Sequence, residues 1–365
     1  MIKRLDALTQ RIQEKLLARR LGERTLSAAF SAAELVRGLL QGVRSGDNGN
    51  GSHGSPIRSR TSISPPVQPG SLSDHLGILV DKRLDRLNDC RQWRATDDPV
   101  EAVHDLRVAS RRLRAFIDVF RPLLDAEIVE RTEKPLRRIT RAARSLRDLD
   151  VQAGLLVDRL DHASTDAERG ALEHLLEQLE LGRSRIERRA DKRLGKVDFD
   201  ELHVSVSAAL GETIARLPHD PSETSTLAHE LLARLVDQAS KDRPADDGLE
   251  YPEEMHRLRI DLKKLRYALE LFQPIFGEVY GALYERVEGL QELLGAHHDR
   301  VVLGEIVEDL RERLRSKHRE TLLAGLETLN GQLWRERREL LARFRAEGFE
   351  PDWWRRSIRD ALVAH

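Results

Sequence analysis

The sequence predicts an all-α protein built as a duplicated pair of four-helix bundles, and three observations support this prediction. Charged residues make up 34% of the 365 residues and aromatic residues only 4%, which is typical of long helices covered by solvent. Apolar residues recur at helical spacing over most of the chain, and no segment alternates as a strand does. One basic motif also occurs twice, which indicates an internal duplication.

The N-terminal part of the chain is predicted to be an appendage. Residues 1–44 carry apolar side chains at helical spacing, interrupted near Gly22, and are expected to form one or two amphipathic helices. Residues 45–72 are rich in Gly, Ser and Pro and have too little apolar content to order themselves, which favours a flexible linker. The position of the N-terminal helices relative to the rest of the chain is therefore expected to vary.

The remaining chain is predicted to be almost entirely helical. Asp98 before Pro99 forms a helix start with proline at the first helical position, and Pro252 starts a helix in the same way in the second copy. The first repeat is expected at about 73–196 and the second at about 197–350. The predicted helices span residues 73–95, 99–121, 132–161, 166–195, 199–217, 222–239, 252–275, 278–315 and 317–347.

The duplicated motif places cations on one face of a helix. At about 100° per residue, positions i, i+3, i+7 and i+10 share a face, while the opposite face of each copy is apolar. Each motif histidine lies within the second turn of its helix, near an amino end that favours anions. If the two copies are related by a pseudo-twofold axis, their basic faces meet across a shared groove. The motif residues are His104, Arg107, Arg111 and Arg114 and, about 150 residues later, His256, Arg259, Lys263 and Arg266.

A second basic row follows the first copy only. Glu133 is the single acidic residue between Arg131 and Arg147, and like charges one turn apart repel each other, so this row favours a bound anion. The corresponding helix of the second copy is acidic around Glu285 and Glu288. We therefore expect the first copy to supply more of the anion contacts. The row consists of Lys134, Arg137, Arg141 and Arg144, and the secondary binding candidates are Arg112, Arg138, Lys264 and Arg188.

The chemistry of these rows favours a chain of phosphates as the ligand. Guanidinium groups bind phosphoryl oxygens in a bidentate manner, and regularly spaced rows suit a regularly spaced polymer. Single-stranded nucleic acid would ordinarily add aromatic platforms for its bases, and the basic rows contain none. Inorganic polyphosphate is thus favoured over an RNA or DNA backbone, which remains the alternative.

Catalysis and metal binding find little support in the sequence. The basic region has no carboxylate cluster for magnesium, no glycine-rich phosphate loop and no nucleophile beside a base, so we expect no catalytic residue and no cofactor. A metal-dependent phosphohydrolase is the least favoured alternative. Arginines around His104 and His256 would repel a metal ion, and His297 and His298 are interpreted as structural histidines. No metal site is predicted.

Cysteine content and hydropathy predict a protein of the cytoplasm. Cys90 is the only cysteine, which excludes an intramolecular disulfide. No apolar run approaches the roughly 20 residues needed to span a membrane, and the N-terminus lacks the apolar core of a secretory signal. The sequence gives no prediction of the oligomeric state.

These motifs resemble the CHAD family, the conserved histidine α-helical domain. The resemblance covers residues 73–350 and rests on both histidine motifs, on Arg147-Asp148-Leu149-Asp150, and on the segment from Leu290 to Asp299. It implies two pseudo-symmetric four-helix bundles around a basic central cavity that both motif copies and the arginine row would line. It also implies binding of inorganic polyphosphate and association with polyphosphate granules and their proteins.

The resemblance does not extend to an enzymatic domain. Many CHAD proteins are fused to a triphosphatase whose signature is Glu-x-Glu-x-Lys, and this signature does not occur in the chain. Lys263 and Lys264 stand where the first copy has an arginine pair, which keeps the charge but loses the guanidinium geometry. The second copy is therefore expected to bind an anion less strongly than the first.

Overall fold

The structure, a computed structural model, describes residues 71–243, 252–277, 279–315 and 319–363, and within these ranges it is all-α. The described residues form eleven α-helices and two short 3-10 helices and contain no strand, which confirms the prediction of an all-α fold. The α-helices are α1 (Leu72–Asp89), α2 (Pro99–Phe120), α3 (Ala126–Leu160), α4 (Asp166–Leu194), α5 (Phe199–Ala215), α6 (Pro221–Lys241), α7 (Pro252–Leu271), α8 (Gln273–Phe276), α9 (Val279–Arg315), α10 (Glu320–Glu347) and α11 (Pro351–Val363). None of them is long and apolar enough to cross a membrane.

The predicted appendage, residues 1–44, and nearly all of the predicted linker, residues 45–72, lie outside the described residues. The last two linker positions belong to the fold instead. Ser71 caps α1 by accepting a hydrogen bond from the backbone N–H of Asp74, whose side chain accepts in return from the N–H of Ser71. This reciprocal capping box satisfies two otherwise unpaired donors and fixes the start of α1 at Leu72.

Asp98 caps α2 as the sequence predicts. Its carboxylate accepts hydrogen bonds from the backbone N–H groups of Val100 at 3.1 Å and Glu101 at 3.0 Å. Because the first N–H groups of a helix have no partner within the helix, this cap stabilises the start of α2 by roughly 1 kcal/mol. The cap fixes the turn of α2 that precedes the motif histidine.

Among the helix boundaries that differ from the prediction, two involve a proline, which has different effects at different sites. Pro135 favours a helix start near residue 132, yet α3 begins at Ala126, since the burial of Val129 and Thr132 stabilises the additional turns. Pro274 interrupts the helix predicted for 252–275, and the chain resumes as the short helix α8. Proline lacks an N–H and clashes with the preceding turn, so it breaks a helix where packing does not offset the loss.

The hydrophobic interior does not divide at the predicted repeat boundary. One cluster joins residues of α1 and α2 with residues of α6 to α8. A second joins the C-terminal half of α3 and the N-terminal half of α4 to the C-terminal half of α9 and the N-terminal half of α10. The helices α3 and α9 contain 35 and 37 residues and run through both clusters. Each cluster therefore draws helices from both predicted repeats.

The helix α11 is absent from the predicted elements, which end at residue 347. Its residues Trp354 and Ile358 are 0% and 1% exposed and belong to the first hydrophobic cluster. The helix packs against α6 and α8. The folded unit therefore continues beyond the predicted end at residue 350.

Close packing of α4 against α10 depends on Gly325. A Cβ atom at this position would overlap the carbonyl oxygen of Ala167 and lie 2.8 Å from the Cβ of Ala171. At Gly331, also in α10, a Cβ atom would meet nothing within 4 Å. Substitution by alanine therefore tests close packing at Gly325 and helix propensity alone at Gly331.

We predict that Gly325→Ala lowers the free energy of unfolding by about 1–3 kcal/mol, the usual cost of overpacking. Gly331→Ala, its control, should raise that free energy by up to about 1 kcal/mol, because alanine favours the helix more than glycine does. Urea denaturation followed by circular dichroism measures both. Equal unfolding midpoints for the two variants would contradict the close packing of α4 on α10.

Candidate anion-binding site

The packing of α2 against α7 brings the two copies of the basic motif together. The apolar faces of both helices are buried in the first hydrophobic cluster, with Leu113 and Leu262 fully buried and the rings of Phe120 and Phe272 in contact at 5.8 Å between centroids. The two helices therefore turn their apolar faces inward. The basic faces of α2 and α7 therefore lie next to each other on the side of the helix pair opposite the hydrophobic cluster.

Four cations from the two motif copies form a basic cluster, which we define as Arg107, Arg111, Arg259 and Lys263. Burial and the charge of Arg111 lower the pKa of Arg259 to about 10, and burial with the same neighbour lowers that of Arg107 to about 10. Burial and the charges of Arg111, Arg259 and Arg107 hold the pKa of Lys263 well below its ordinary value. The cations of α2 and α7 thus repel one another across the helix pair.

The basic cluster lacks carboxylate partners. Among the described residues, none of its four side chains forms a salt bridge, although salt bridges are frequent on the surrounding helices. The nearest acids are Asp148 and Asp299, whose charges act on Arg259. Asp148 is already shared with Arg144 at 3.2 Å, and burial raises the pKa of Asp299. The cluster consequently keeps an excess of positive charge.

The row of α3 lies along the solvent side of this cluster. Its four residues are exposed, whereas the motif residues of α2 and α7 are half-buried. The charge of Arg137 acts on Arg114 at one end of α2, and the charge of Arg144 acts on Arg259 and His256 in α7. The three predicted rows therefore occupy one region of the molecule.

Each motif histidine lies beside a residue of the long helix that follows it in the chain. Burial and the charge of Arg147 lower the pKa of His104 to about 4. His256 faces His298, with 4.8 Å between ring centroids, and the Nη2 atom of Arg259 lies 3.5 Å from its Nδ1 atom. Arg147 of α3 and His298 of α9 thus each lie beside a motif histidine.

Sequence reasoning did not include Arg147 and His298 among the binding residues, although both carry a signal. Arg147 follows Arg144 by three residues and so continues the basic row. His298 was interpreted as a structural histidine together with His297. His297 is 3% exposed, whereas His298 is half-buried and its ring lies 4.8 Å from that of His256, so the structural interpretation of both histidines stays a prediction.

Several predicted binding residues already have partners within the protein. Arg137 and Arg266 are paired with glutamates, and three of the four secondary candidates have hydrogen-bond partners, whereas Arg188 is exposed on α4. A ligand that recruits these groups must compete with the existing contacts, so their role in binding stays a prediction. The contacts are Arg137 to Glu133 at 2.6 Å, Arg266 to Glu288 at 3.0 Å, Arg112 to Glu270 at 3.2 Å, Arg138 to the carbonyl oxygen of Lys196 at 3.2 Å and Lys264 to Asp261 at 3.0 Å.

The carboxylate of Glu270, whose side chain is 12% exposed, links several helices next to the basic cluster. It accepts hydrogen bonds from Arg83 at 3.3 Å, Arg112 at 3.2 Å and the hydroxyl of Tyr284 at 3.2 Å, and its backbone carbonyl lies 3.1 Å from the Nε2 atom of His75. These contacts join α1, α2, α7 and α9. The position of Arg112, next to Arg111 of the basic cluster, is set by this carboxylate.

No cluster of three or more His, Cys, Asp or Glu side chains suited to a metal ion occurs among the described residues. The arrangement that is present consists of half-buried cations, the histidines His104, His256 and His298, and an exposed row of one lysine and three arginines on α3. Such a surface can supply many charge-assisted hydrogen bonds to a polyanion.

Comparison with known proteins gives one family and two related folds. The family model of the CHAD domain matches residues 78–308. The crystal structure of the CHAD domain from the plant Ricinus communis is 22% identical, with a TM-score of 0.54 over 81% of this chain and 93% of that chain. PptA from Streptomyces chartreusis is 18% identical, with a TM-score of 0.59 over 76% of this chain and 99% of that chain. No curated protein matches the chain significantly.

We predict that Glu270→Ala lowers the free energy of unfolding by about 3–5 kcal/mol, because it leaves the buried guanidinium group of Arg83 and the half-buried one of Arg112 without their shared carboxylate. Glu212→Ala is the control, since the pair of Glu212 with Arg216 is exposed and should contribute less than about 1 kcal/mol. Urea denaturation measures both changes. A loss for Glu270→Ala no larger than the control's would show that the fold does not depend on this carboxylate.

Proposed function

The chain belongs to the CHAD domain family, and we propose that it binds inorganic polyphosphate, without catalysing a reaction, along the basic rows of α2, α3 and α7. The observation that carries the proposal is the unpaired basic cluster. Its cations repel one another and have no carboxylate within salt-bridge distance among the described residues. A bound polyanion offsets this repulsion and provides anionic partners for the cations. Binding is therefore favourable, because the unpaired charges raise the free energy of the protein without ligand.

A polymer of phosphates uses the rows better than a single phosphate does. The row of α3 runs over about three helical turns, roughly 15 Å at 1.5 Å per residue, and each of its cations can contact a different phosphoryl group. Contacts made by one chain add to each other without a new association cost for each. The half-buried cluster would bind the phosphate polymer, and the exposed row would extend the contact with the polymer toward solvent.

The helix order supports the proposed duplication around a basic cavity. The helices α2, α3 and α4 contain 22, 35 and 29 residues, and α7, α9 and α10 contain 20, 37 and 28. In each series every helix packs against the next, and α2 packs against α7 between the series. We infer that the two series are pseudo-symmetric halves whose motif helices meet at a shared basic cavity.

The aromatic residues nearest the motifs favour polyphosphate over nucleic acid. Phe116 and Tyr267 are 0% and 8% exposed, so neither offers a face on which a base can stack. Recognition would therefore rest on charge alone, which suits a ligand that consists only of phosphates. We further propose, from the family resemblance, that the protein associates with polyphosphate granules in the cytoplasm.

We predict that the double variant Arg111→Gln/Arg259→Gln binds long-chain polyphosphate at least tenfold more weakly than the unchanged protein, because charge-assisted hydrogen bonds contribute about 1.5–3 kcal/mol each. The control is Arg216→Gln, a substitution of the exposed arginine that directly follows α5, which should bind normally. Titration calorimetry at several salt concentrations measures affinity. The dependence of log Kd on log salt should be steep and should become shallower by about one unit per lost phosphate contact.

Two further measurements separate the proposal from its alternatives. A single-stranded RNA of matched charge should compete poorly with polyphosphate, and equal competition would favour a nucleic-acid backbone as the ligand. Phosphate release from polyphosphate in the presence of magnesium should stay at the background rate, and release above it would favour a phosphohydrolase. Absence of polyphosphate binding at low salt would overturn the proposal itself.

A further inference from the structure

Two histidines from different helices adjoin within the proposed site. The rings of His256 in α7 and His298 in α9 lie 4.8 Å apart between centroids. The charged groups that face both rings are Arg259 and Lys263 of α7 and Arg144 of α3. Three cations therefore surround a pair of groups that can themselves become cationic.

The surroundings keep both imidazoles neutral in the protein without ligand. Burial and the neighbouring Arg259 and His256 lower the pKa of His298 to about 3. Burial and the charges of Arg259, Arg144 and Lys263 lower that of His256. At neutral pH the pair therefore holds ring nitrogens that are free to accept protons.

A polyanion bound to these cations makes the surroundings of both imidazoles favour a positive charge instead of disfavouring it. Its negative charge offsets Arg144, Arg259 and Lys263, the groups that disfavour a charged imidazole. A protonated imidazole can also donate an N–H to a phosphoryl oxygen, which a neutral ring nitrogen without a proton cannot do. Both effects favour the protonated form only when the ligand is present.

We propose that His256 and His298 form a proton-accepting pair, so that binding of polyphosphate takes up protons from solvent at this end of the site. The inference rests on the proposed function. Each step adds a proton from water or buffer to a ring nitrogen, and no covalent bond to the ligand forms. His298 is thereby a binding residue that acts through its protonated state.

The pair makes the two halves of the site respond differently to pH. In the first half the position beside the motif histidine is held by Arg147, whose guanidinium is charged at every physiological pH. In the second half it is held by His298. The first half carries permanent charge there, and the second acquires charge when the ligand binds.

The direction of the pH dependence follows from linkage. The pKa of each histidine is higher in the complex than in the free protein, so affinity is greatest at low pH and falls as pH rises through the pKa values of the complex. Each proton taken up changes Kd about tenfold per pH unit in that window. Affinity should therefore fall between slightly acidic and slightly basic pH.

Calorimetry with long-chain polyphosphate at pH 6.5, in buffers of different ionisation enthalpy, counts the protons that bind. Long chains are used because their few terminal phosphates contribute little titration. We expect net uptake by the unchanged protein, loss of most of it in His256→Gln/His298→Gln, and a flatter dependence of Kd on pH in that variant. His219→Gln, an exposed histidine between α5 and α6, is the control and should retain full uptake.

A second measurement follows the same groups directly. Proton–nitrogen NMR of the histidine rings should show His298 neutral at pH 6.5 in the free protein and protonated once polyphosphate is added. The single variant His298→Gln should halve the uptake, which preserves the test if the double variant fails to fold, as judged by its helical circular dichroism.

Defined outcomes overturn the inference. Uptake that persists in His256→Gln/His298→Gln and disappears in Asp299→Asn or His104→Gln would assign the protons to another group. Tight binding with no uptake by the unchanged protein would refute the proton-accepting pair and leave the proposed function standing. Absence of binding at every pH would refute both.

Discussion

The packing of α2 against α7 is the contact on which the rest of the site depends. Both helices are apolar on one face and basic on the other. Burial of the apolar faces, at roughly 25 cal/mol per Å² of apolar surface, is strong enough to bring the two basic faces together despite their repulsion. The basic cluster is thus a consequence of hydrophobic packing between two copies of one amphipathic pattern, and the fold places its cations where they cannot separate.

The fold compensates the cations on one side of these helices and leaves them uncompensated on the other. Behind the helix pair, Glu270 serves Arg83 and Arg112 together and joins four helices. In front, Arg107 and Arg111 have no carboxylate partner among the described residues, although both helices carry acids nearby. A structure shaped only for stability would pair these arginines as it pairs Arg112. The contrast between neighbouring positions 111 and 112 supports the proposal that the unpaired side binds a ligand.

The sequence predicted most of the helices and the basic rows, because both depend on local periodicity. The spacing of Arg107 and Arg111 on one helix face needs no tertiary information, and Asp98 starts its helix with its own side chain. The meeting of the two copies was predicted only on the condition of a pseudo-twofold relation between them, an arrangement that the family resemblance also implies.

What the sequence did not predict depends on contacts between distant segments. The helix α11 is short and begins after Gly348, and only the burial of Trp354 by α6 and α8 shows that it belongs to the fold. The early start of α3 before Pro135 depends on buried Val129. The partners of Arg112 and Arg138 lie 158 and 58 residues away in the chain, so no spacing rule could find them.

The two halves of the site differ in the kind of charge they hold. In the first half Arg147 stands beside His104, and the exposed row of α3 adds further guanidinium groups. In the second half His298 stands beside His256, and Glu288 pairs with Arg266. Under the proposed function, the first half would attract an anion at any pH, whereas the charge of the second half would depend on protonation and on the ligand itself. The proposed site would thus combine a half with permanent charge and a half whose charge responds to the ligand. The proposed difference arises from two residues, Arg147 and His298, on the long helices that pack against the motif helices.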